Sequence, residues 1–325
     1  MLGLQWRAFC SFAMCLSAFL SQGLAEAPIE QVSDPPFRSH QSLSPDRPDK
    51  YFHESTFSEH YDGRFASAPL IYEEHRAALT MLMQTYLSTM VDLGIETWIM
   101  HGTLLGWYWN RLILPWDSDI DVMVTEKSIE HLAGYYNMSV FHVGMIDEVQ
   151  GEEAKRFEYL LEVNPHWKNA TEDDVNHIDA RFVDMESGLF IDITTLRRNR
   201  TAIALGEPEA CMVKDGHAYV YDDIFPLRQS EFEGQEVRVP FAYAKVLAEE
   251  YGQKALAEVY YQNHRFDVQT GEWRALKYAE LSYYLKKTGE GLGKLFWGEV
   301  LEQGEDSSRL DLFDGLRRLG RLAQT

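Results

Sequence analysis

The chain has 325 residues, 45% of them apolar, with 30 basic and 51 acidic side chains and a formal net charge of −21. That length and apolar share can bury one large core with appendages, and the negative field disfavours DNA, RNA and anionic membrane surfaces as partners. A nucleotide would meet the same repulsion unless a metal ion or local basic groups neutralised its site, so the acidic balance fits metal dependence.

The N-terminus reads as a targeting segment. Arg7 precedes an apolar run from Ala8 to Leu20, followed by small-residue sites at Gly23-Leu24-Ala25 and Ala25-Glu26-Ala27, the layout of a secretory signal peptide. The run is shorter than the ~20 residues that span a bilayer. Residues 1–25 are therefore expected to be a cleaved signal, the alternative being a retained short anchor that would associate the protein with a membrane. Cleavage would remove Cys10 and Cys15 and leave Cys211 with no intrachain disulfide partner. Sequons at Asn137, Asn169 and Asn199 agree with a lumenal setting, and each is also an ordinary polar loop. Residues 26–49, with Pro28, Pro35, Pro36, Pro45 and Pro48, read as a flexible stem.

Order is expected from Lys50-Tyr51-Phe52-His53. Apolar residues at Leu70, Leu79, Leu82, Tyr86, Met90 and Leu93 predict a helix over 70–93 with Gly94 as its stop. A strand over Ile95–Met100 and a helix over Thr103–Asn110 follow. Glu126–Ala133 reads as helix and Glu158–Val163 as strand. His177–Asp184 and Leu189–Thr194 read as a hairpin through Met185-Glu186-Ser187-Gly188. Glu236–Val239 reads as strand, Pro240 suits the first turn of a helix to Tyr251 closed by Gly252, and Trp273–Lys287 is helical in pattern.

The chemistry gathers between His101 and Val124. Asp117, Asp119 and Asp121 stand at every other position, and the last two alternate with Ile120, Val122 and Val124, which is a strand period. Cα atoms two apart on a strand lie ~6.6 Å from each other. Carboxylates held so close stay ionised only with positive charge between them, which a divalent cation with oxygen ligands supplies. A lone D-x-D is more often a solvated strand face, but here a Gly102-Thr103 turn and the rigid Pro115-Trp116 entry precede it. Asp192 stands in an otherwise apolar strand, where an unpaired charge is costly, so it faces the cation site or a basic partner such as Arg181 or Arg197.

Smaller signals have two readings each. Arg111 could contact a phosphate or be an ordinary ion-pair partner, and His101 could do the same or pack beside the turn. Trp107, Tyr108 and Trp109 could stack on a sugar or base or fill the core. Arg197, Arg198 and Arg200 could steer an anion or be a solvated turn. His53, His60 and His75 are too scattered for a zinc site.

A Gly-Ser/Thr turn opening a helix, a strand with alternate carboxylates and a third carboxylate on a later strand form the layout of the nucleotidyltransferase superfamily. Backbone N–H groups at the helix start can hold a phosphate, and the carboxylates can hold Mg²⁺ or Mn²⁺. More closely, GTLLG, Arg111, PWDSDIDVMV, GLFIDIT and the later EGQEVRVP with Tyr251-Gly252 resemble the LicD family, which includes the fukutin-related proteins. Within it, HGTLLGWYWN, KYFHE, HYDGRF and HIDARFVD resemble the fungal branch linked to mannosylphosphorylation of glycoproteins. Ser118 stands where many members have Asp, and the Trp107-Tyr108-Trp109 run replaces small or basic residues.

The resemblance implies an α/β fold, a mixed sheet flanked by helices, with an N-terminal helix and a C-terminal helical extension. The catalytic domain would span residues 50–266 and the extension 267–325. It also implies Asp119, Asp121 and Asp192 as catalytic and metal-binding residues, Gly102, Thr103 and Arg111 as donor-binding residues, and Mg²⁺ or Mn²⁺ as cofactor. The implied activity moves a sugar phosphate, with GDP-mannose as favoured donor, onto a glycoprotein glycan in the secretory lumen, as a Golgi or secreted protein. Other members of a mannosyltransferase complex would be partners. The alternatives are a D-x-D glycosyltransferase and a non-catalytic positive regulator of a mannosylphosphate transferase.

Overall fold

The computed structural model describes residues 30–31, 49–146 and 153–277, so the expected signal segment, most of the expected stem and everything past 277 lie outside the described residues. The chain divides into two compact units, one of Met1–Pro69 and Ala77–Leu256, the other of Leu70–Arg76 and Ala257–Thr325.

The first unit is built on a mixed sheet. β1 (Glu30–Gln31), β2 (Thr97–Ile99), β3 (Ile120–Thr125), β4 (Ser139–Ile146), β5 (Glu153–Val163), β6 (Ala180–Asp184) and β7 (Phe190–Arg198) lie in the order β1-β4-β5-β6-β7-β3-β2. The β3–β7 pair is parallel and the other neighbours along this path are antiparallel. The short strands β8 (Ala210–Met212) and β9 (Ala218–Val220) continue from β7, and β10 (Arg228–Phe232) and β11 (Gln235–Val239) form a separate hairpin. The helices are α1 (Tyr72–Asp92), α2 (His101–Asn110), α3 (Glu126–Tyr135), the short α4 (Arg200–Ala204) and α5 (Tyr221–Ile224), and α6 (Tyr243–Tyr251).

Local sequence explains the elements that frame the site. Leu79, Leu82, Met83, Tyr86, Leu87 and Met90 of α1 are buried, an i, i+3, i+4 stripe that faces the core. Gly94, at φ 66°, ends the turn, with Gly94 N–H donating to Val91 and Ile95 N–H to Met90. In β3, Ile120, Val122, Met123 and Val124 are all buried, as suits a central strand covered on both faces. Gly106 of α2 is required by contact: a Cβ there would sit 2.5 Å from the Leu112 carbonyl oxygen. Glu233, in the β10–β11 turn, accepts from Thr80 and from the Ile113 N–H and so holds that hairpin to α1 and to the segment leaving α2.

Several elements depart from expectation. β4 was not foreseen, and β5 begins at Glu153 rather than Glu158. The two form a long antiparallel ribbon, and its polar outer half (Glu153, Lys155, Arg156) lacks the apolar alternation that marks a half-buried strand. Glu30–Gln31, expected in the flexible stem, pair with the free edge of β4. In the second unit β12 (Tyr260–Tyr261), β13 (His264–Asp267) and β14 (Glu272–Ala275) form a three-stranded sheet. Trp273, expected to open a helix, is a strand residue opposite Phe266, with ring centroids 5.3 Å apart. Residues 278–287 of that expected helix lie outside the described residues. Each sequon asparagine uses its Oδ1 locally, Asn137 accepting from Val163 N–H, Asn169 from Thr171 N–H and Asn199 from Ala202 N–H. No helix among the described residues is long and apolar enough to cross a membrane.

Candidate active site

Parallel pairing sets Asp121 of β3 and Asp192 of β7 directly opposite one another in register. Neighbouring strands lie ~4.8 Å apart and residues in register share a face, so the two carboxyls are neighbours. Asp119 is not a strand residue: β3 begins at Ile120, and Asp119 belongs to the irregular segment that follows Pro115-Trp116. It still belongs to the cluster, because its charge acts on both Asp121 and Asp192.

The cluster carries more negative charge than it can hold. Burial pushes the Asp121 carboxyl upward, the charge of His101 pulls it back, and repulsion from Asp119 and Asp192 leaves it at about 8. Asp192 is also raised, by burial first, with Arg181 opposing and Asp119 and Glu54 adding. The side chains of Asp192 and Asp119 nonetheless keep 19% and 38% of their surface open, so both can be reached from the cleft.

Helix α2 supports Asp121 from below. The Thr103 hydroxyl accepts the Asp121 backbone N–H at 2.9 Å, and the Asp121 carbonyl accepts Met100 N–H at 3.1 Å. Gly102 faces Asp117, and a Cβ there would come within 3.0 Å of the Asp117 carboxylate. The helix N-terminus, where free N–H groups and the dipole favour negative charge, thus already has a carboxylate against it. Next to it His101, at φ 53°, pairs through Nδ1 with Glu250 of α6. Burial would lower the His101 pKa, but the bond to Glu250 and the charges of Asp121 and Glu250 raise it to about 9, so the ring is an imidazolium at neutral pH.

On the other side, Arg181 of β6 donates to Asp192 at 2.7 Å and to Glu54 at 3.0 Å. Its guanidinium lies between the rings of Phe190 and Phe52, 3.8 and 4.8 Å from their centroids. Asp192 therefore has both surroundings that its sequence context allows, a carboxylate cluster and a basic partner. His60 Nδ1 lies 3.7 Å from Asp119. The segment carrying Glu54 and His60 is fixed to the sheet by the Tyr61–Leu189 bridge and by Arg64, which joins Asp62 to Glu162.

Other expected residues lie elsewhere. Arg111 caps the far end of α2, ~14 Å along the helix from Gly102 by helical rise, and its guanidinium stacks 3.9 Å from the Trp107 ring. Trp107 donates to Ser230, Tyr108 to the Leu256 carbonyl and Trp109 to the Ala255 carbonyl, so the aromatic run packs and bonds within the fold. Arg197 is neither steering nor solvated: it is buried and bonds both oxygens of Asp179, which also pairs with buried Lys214 at 2.9 Å. A groove of about 770 Å³ at the opposite ends of β3 and β7, lined by Thr125, Arg198 and Cys211, contains none of the three aspartates. Sequence reasoning missed Glu250, which has no motif of its own, and the roles of Glu54 and His60, which stand in KYFHE and HYDGRF.

As the side chains stand, no three His, Cys, Asp or Glu among the described residues converge to enclose an ion by themselves. One or two carboxylates completed by substrate phosphates is how Mg²⁺ is usually held. Asp119 and Asp121, two residues apart, would be a donor set of that kind once a cation displaced the proton from Asp121.

A mixed sheet with carboxylates on adjoining parallel strands beside a helix start defines a nucleotidyltransferase-like α/β domain. Residues 94–242 match the family described as LicD/FKTN/FKRP, nucleotidyltransferase domain. Among curated proteins, the chain is 33% identical over 141 residues to Mannosyltransferase regulator 4 of Saccharomyces cerevisiae, covering 42% of this chain and 11% of that protein. It is 35% identical over 125 residues to Mannosyltransferase regulator 14 of the same yeast, covering 38% and 13%. It is 28% identical over 91 residues to the mouse Ribitol-5-phosphate transferase FKTN, covering 25% and 20%. The matches to the yeast relatives thus span little more than a tenth of their length.

Proposed function

We propose that the protein is a metal-dependent phosphotransferase that moves a sugar phosphate from a nucleotide-activated donor to a glycan hydroxyl in the secretory pathway, GDP-mannose being the favoured donor. The observation that carries this reading is the register pairing of Asp121 with Asp192, with Asp119 two residues upstream. Three acids in mutual repulsion serve no purpose in a core, whereas phosphoryl transfer depends on charge neutralisation at such a place. Mg²⁺ or Mn²⁺ held by Asp119 and Asp121, with Asp192 beside them, would neutralise donor phosphate charge.

In this reading the glycan hydroxyl oxygen bonds to the phosphorus that carries the sugar, and the P–O bond to the nucleoside monophosphate breaks. The hydroxyl proton passes to Asp192 as general base, and the nucleoside monophosphate leaves with the bonding electrons. Arg181 orients the Asp192 carboxylate through Oδ1, and the His101–Glu250 pair holds a positive charge beside Asp121.

The names of the two yeast relatives favour a second reading, a regulator of mannosyl transfer without chemistry of its own. One experiment separates these readings. The purified lumenal domain is incubated with Mn²⁺, a mannosyl glycan and a panel of nucleotide donors. Release of a nucleoside monophosphate supports phosphotransfer, a diphosphate points to a glycosyltransferase, and no release from any donor favours the regulator.

A further inference from the structure

The carboxylate cluster divides its surroundings in two. On the Asp121 side stand the start of α2, His101 and Glu250. On the Asp119 and Asp192 side is a cavity of about 340 Å³, walled by Lys50–His60 and by the segment from Asn164 to Ile178, and it includes neither Gly102 nor Thr103. Six charged residues line it, the acids Glu54, Glu59, Asp119 and Asp192 and the bases Lys50 and Arg181. With no cation bound at Asp119, a nucleotide phosphate would enter an excess of two negative charges there, and repulsion opposes that. A ligand bearing hydroxyls does not face this cost.

Arg181 gives an independent sign that something binds. Its side chain is 4% exposed, its Nε and Nη2 serve Asp192 and Glu54, and its Nη1 is buried with no hydrogen-bond partner. A buried guanidinium donor left unpaired is costly, and an oxygen entering the cavity would satisfy it. His177 also lines the cavity and makes no hydrogen bond or ion pair among the described residues.

We infer that this cavity is the subsite for a neutral sugar, which presents a hydroxyl to Asp192 and takes hydrogen bonds from Arg181 Nη1 and His177. The inference rests on the transferase reading for the statement that this sugar is the acceptor, but not for the statement that it binds here. Isothermal titration calorimetry on the folded chain tests it, with methyl α-mannopyranoside as the sugar probe and inorganic phosphate as the anionic one. Wild type is expected to bind the mannoside, and His177→Ala to bind it at least fivefold more weakly, with Mn²⁺-dependent binding of GDP unchanged. Arg181→Lys is a second variant, but its ion pairs make it liable to misfold, so His177→Ala decides. Equal sugar binding by wild type and His177→Ala, or phosphate bound in preference to the sugar, overturns the subsite. Sugar binding that is lost in His177→Ala, in a protein that never turns over a nucleotide donor, keeps the subsite and removes the transferase reading instead.

Discussion

The hydroxyl of Thr103 accepts the backbone N–H of Asp121 at 2.9 Å and ties the first turn of α2 to the acid of the cluster that stands opposite Asp192. β2 ends at Ile99, opposite Val122, so the ladder leaves this N–H for a side chain to take. Thr103→Val keeps the shape and removes the acceptor, which is expected to cost about 1–3 kcal/mol for the unpaired N–H. Thr103→Ser should retain stability and turnover. Denaturant unfolding of the two variants checks this, and equal stability would show that the bond contributes nothing.

Asp121→Asn and Asp119→Asn are each expected to abolish transfer with the fold intact. For Asp121 the sign of the stability change follows from its pKa, raised to about 8 from an unfolded value near ~3.9. Between those values the folded protein binds more protons than the unfolded chain, so the ion-free protein loses stability as pH rises through that window. Asparagine carries no such cost. The Asp121→Asn protein should therefore match wild type below the unfolded value, near pH ~3, and become progressively more stable than wild type from there to pH 8, as measured by thermal melting in chelator. Full turnover in excess chelator, or in the double variant, would sink the metal assignment.

The His101–Glu250 pair predicts a dependence of the same sign in a higher pH window. His101 is raised to about 9 from ~6.5, so its contribution is complete below the unfolded value and lost as pH rises through about 9. In Glu250→Gln the imidazolium loses its partner, and the fall should begin at lower pH. Melting temperatures from pH 6 to 10 for both proteins test this. Superimposable curves would mean that the pair does not govern His101.

Buried Asp179 balances two cations, Arg197 and Lys214. Asp179→Asn leaves both without a counter-charge and is expected to cost roughly 3–5 kcal/mol. Lys214→Met leaves a one-to-one Asp179–Arg197 pair and should cost clearly less. Chemical denaturation gives both values, and the reverse ranking would show that Lys214 is the member that matters.

Local periodicity made much of this fold legible. The stripe of α1, the glycine at 94, the run Ile120–Val124 and the acid at 192 are short-range patterns, and the elements they predict are present to within a few residues. β4 and the outer half of β5 were not legible, because the buried Val140 and Phe141 of β4 are adjacent rather than alternating and Glu153, Lys155 and Arg156 bring no apolar run. The site was legible as a set of acids but not as an environment. Arg181 reaches Glu54 across 127 residues and His101 reaches Glu250 across 149, distances at which spacing carries no signal. Arg111 shows the reverse case, a residue close in sequence that a ten-residue helix carries away from the acids.

Asp192 has two roles open to it, and its variants separate them. Arg181 occupies Oδ1, and the carboxyl is raised by burial despite that partner, so the residue retains some basicity on an accessible side chain. If it is the general base, Asp192→Asn should slow the chemical step by ~10²–10⁴-fold, the usual range for such catalysis. Donor affinity in the presence of metal would change little, because Asp119 and Asp121 still hold the ion. If it is instead a metal ligand, donor affinity and metal requirement should worsen together. Its place on the Asp119 cavity side, away from α2, favours the base. Donor titrations alongside single-turnover rates for Asp192→Asn decide between the two. Unchanged rates and affinity would leave Asp192 only its ion pair with Arg181.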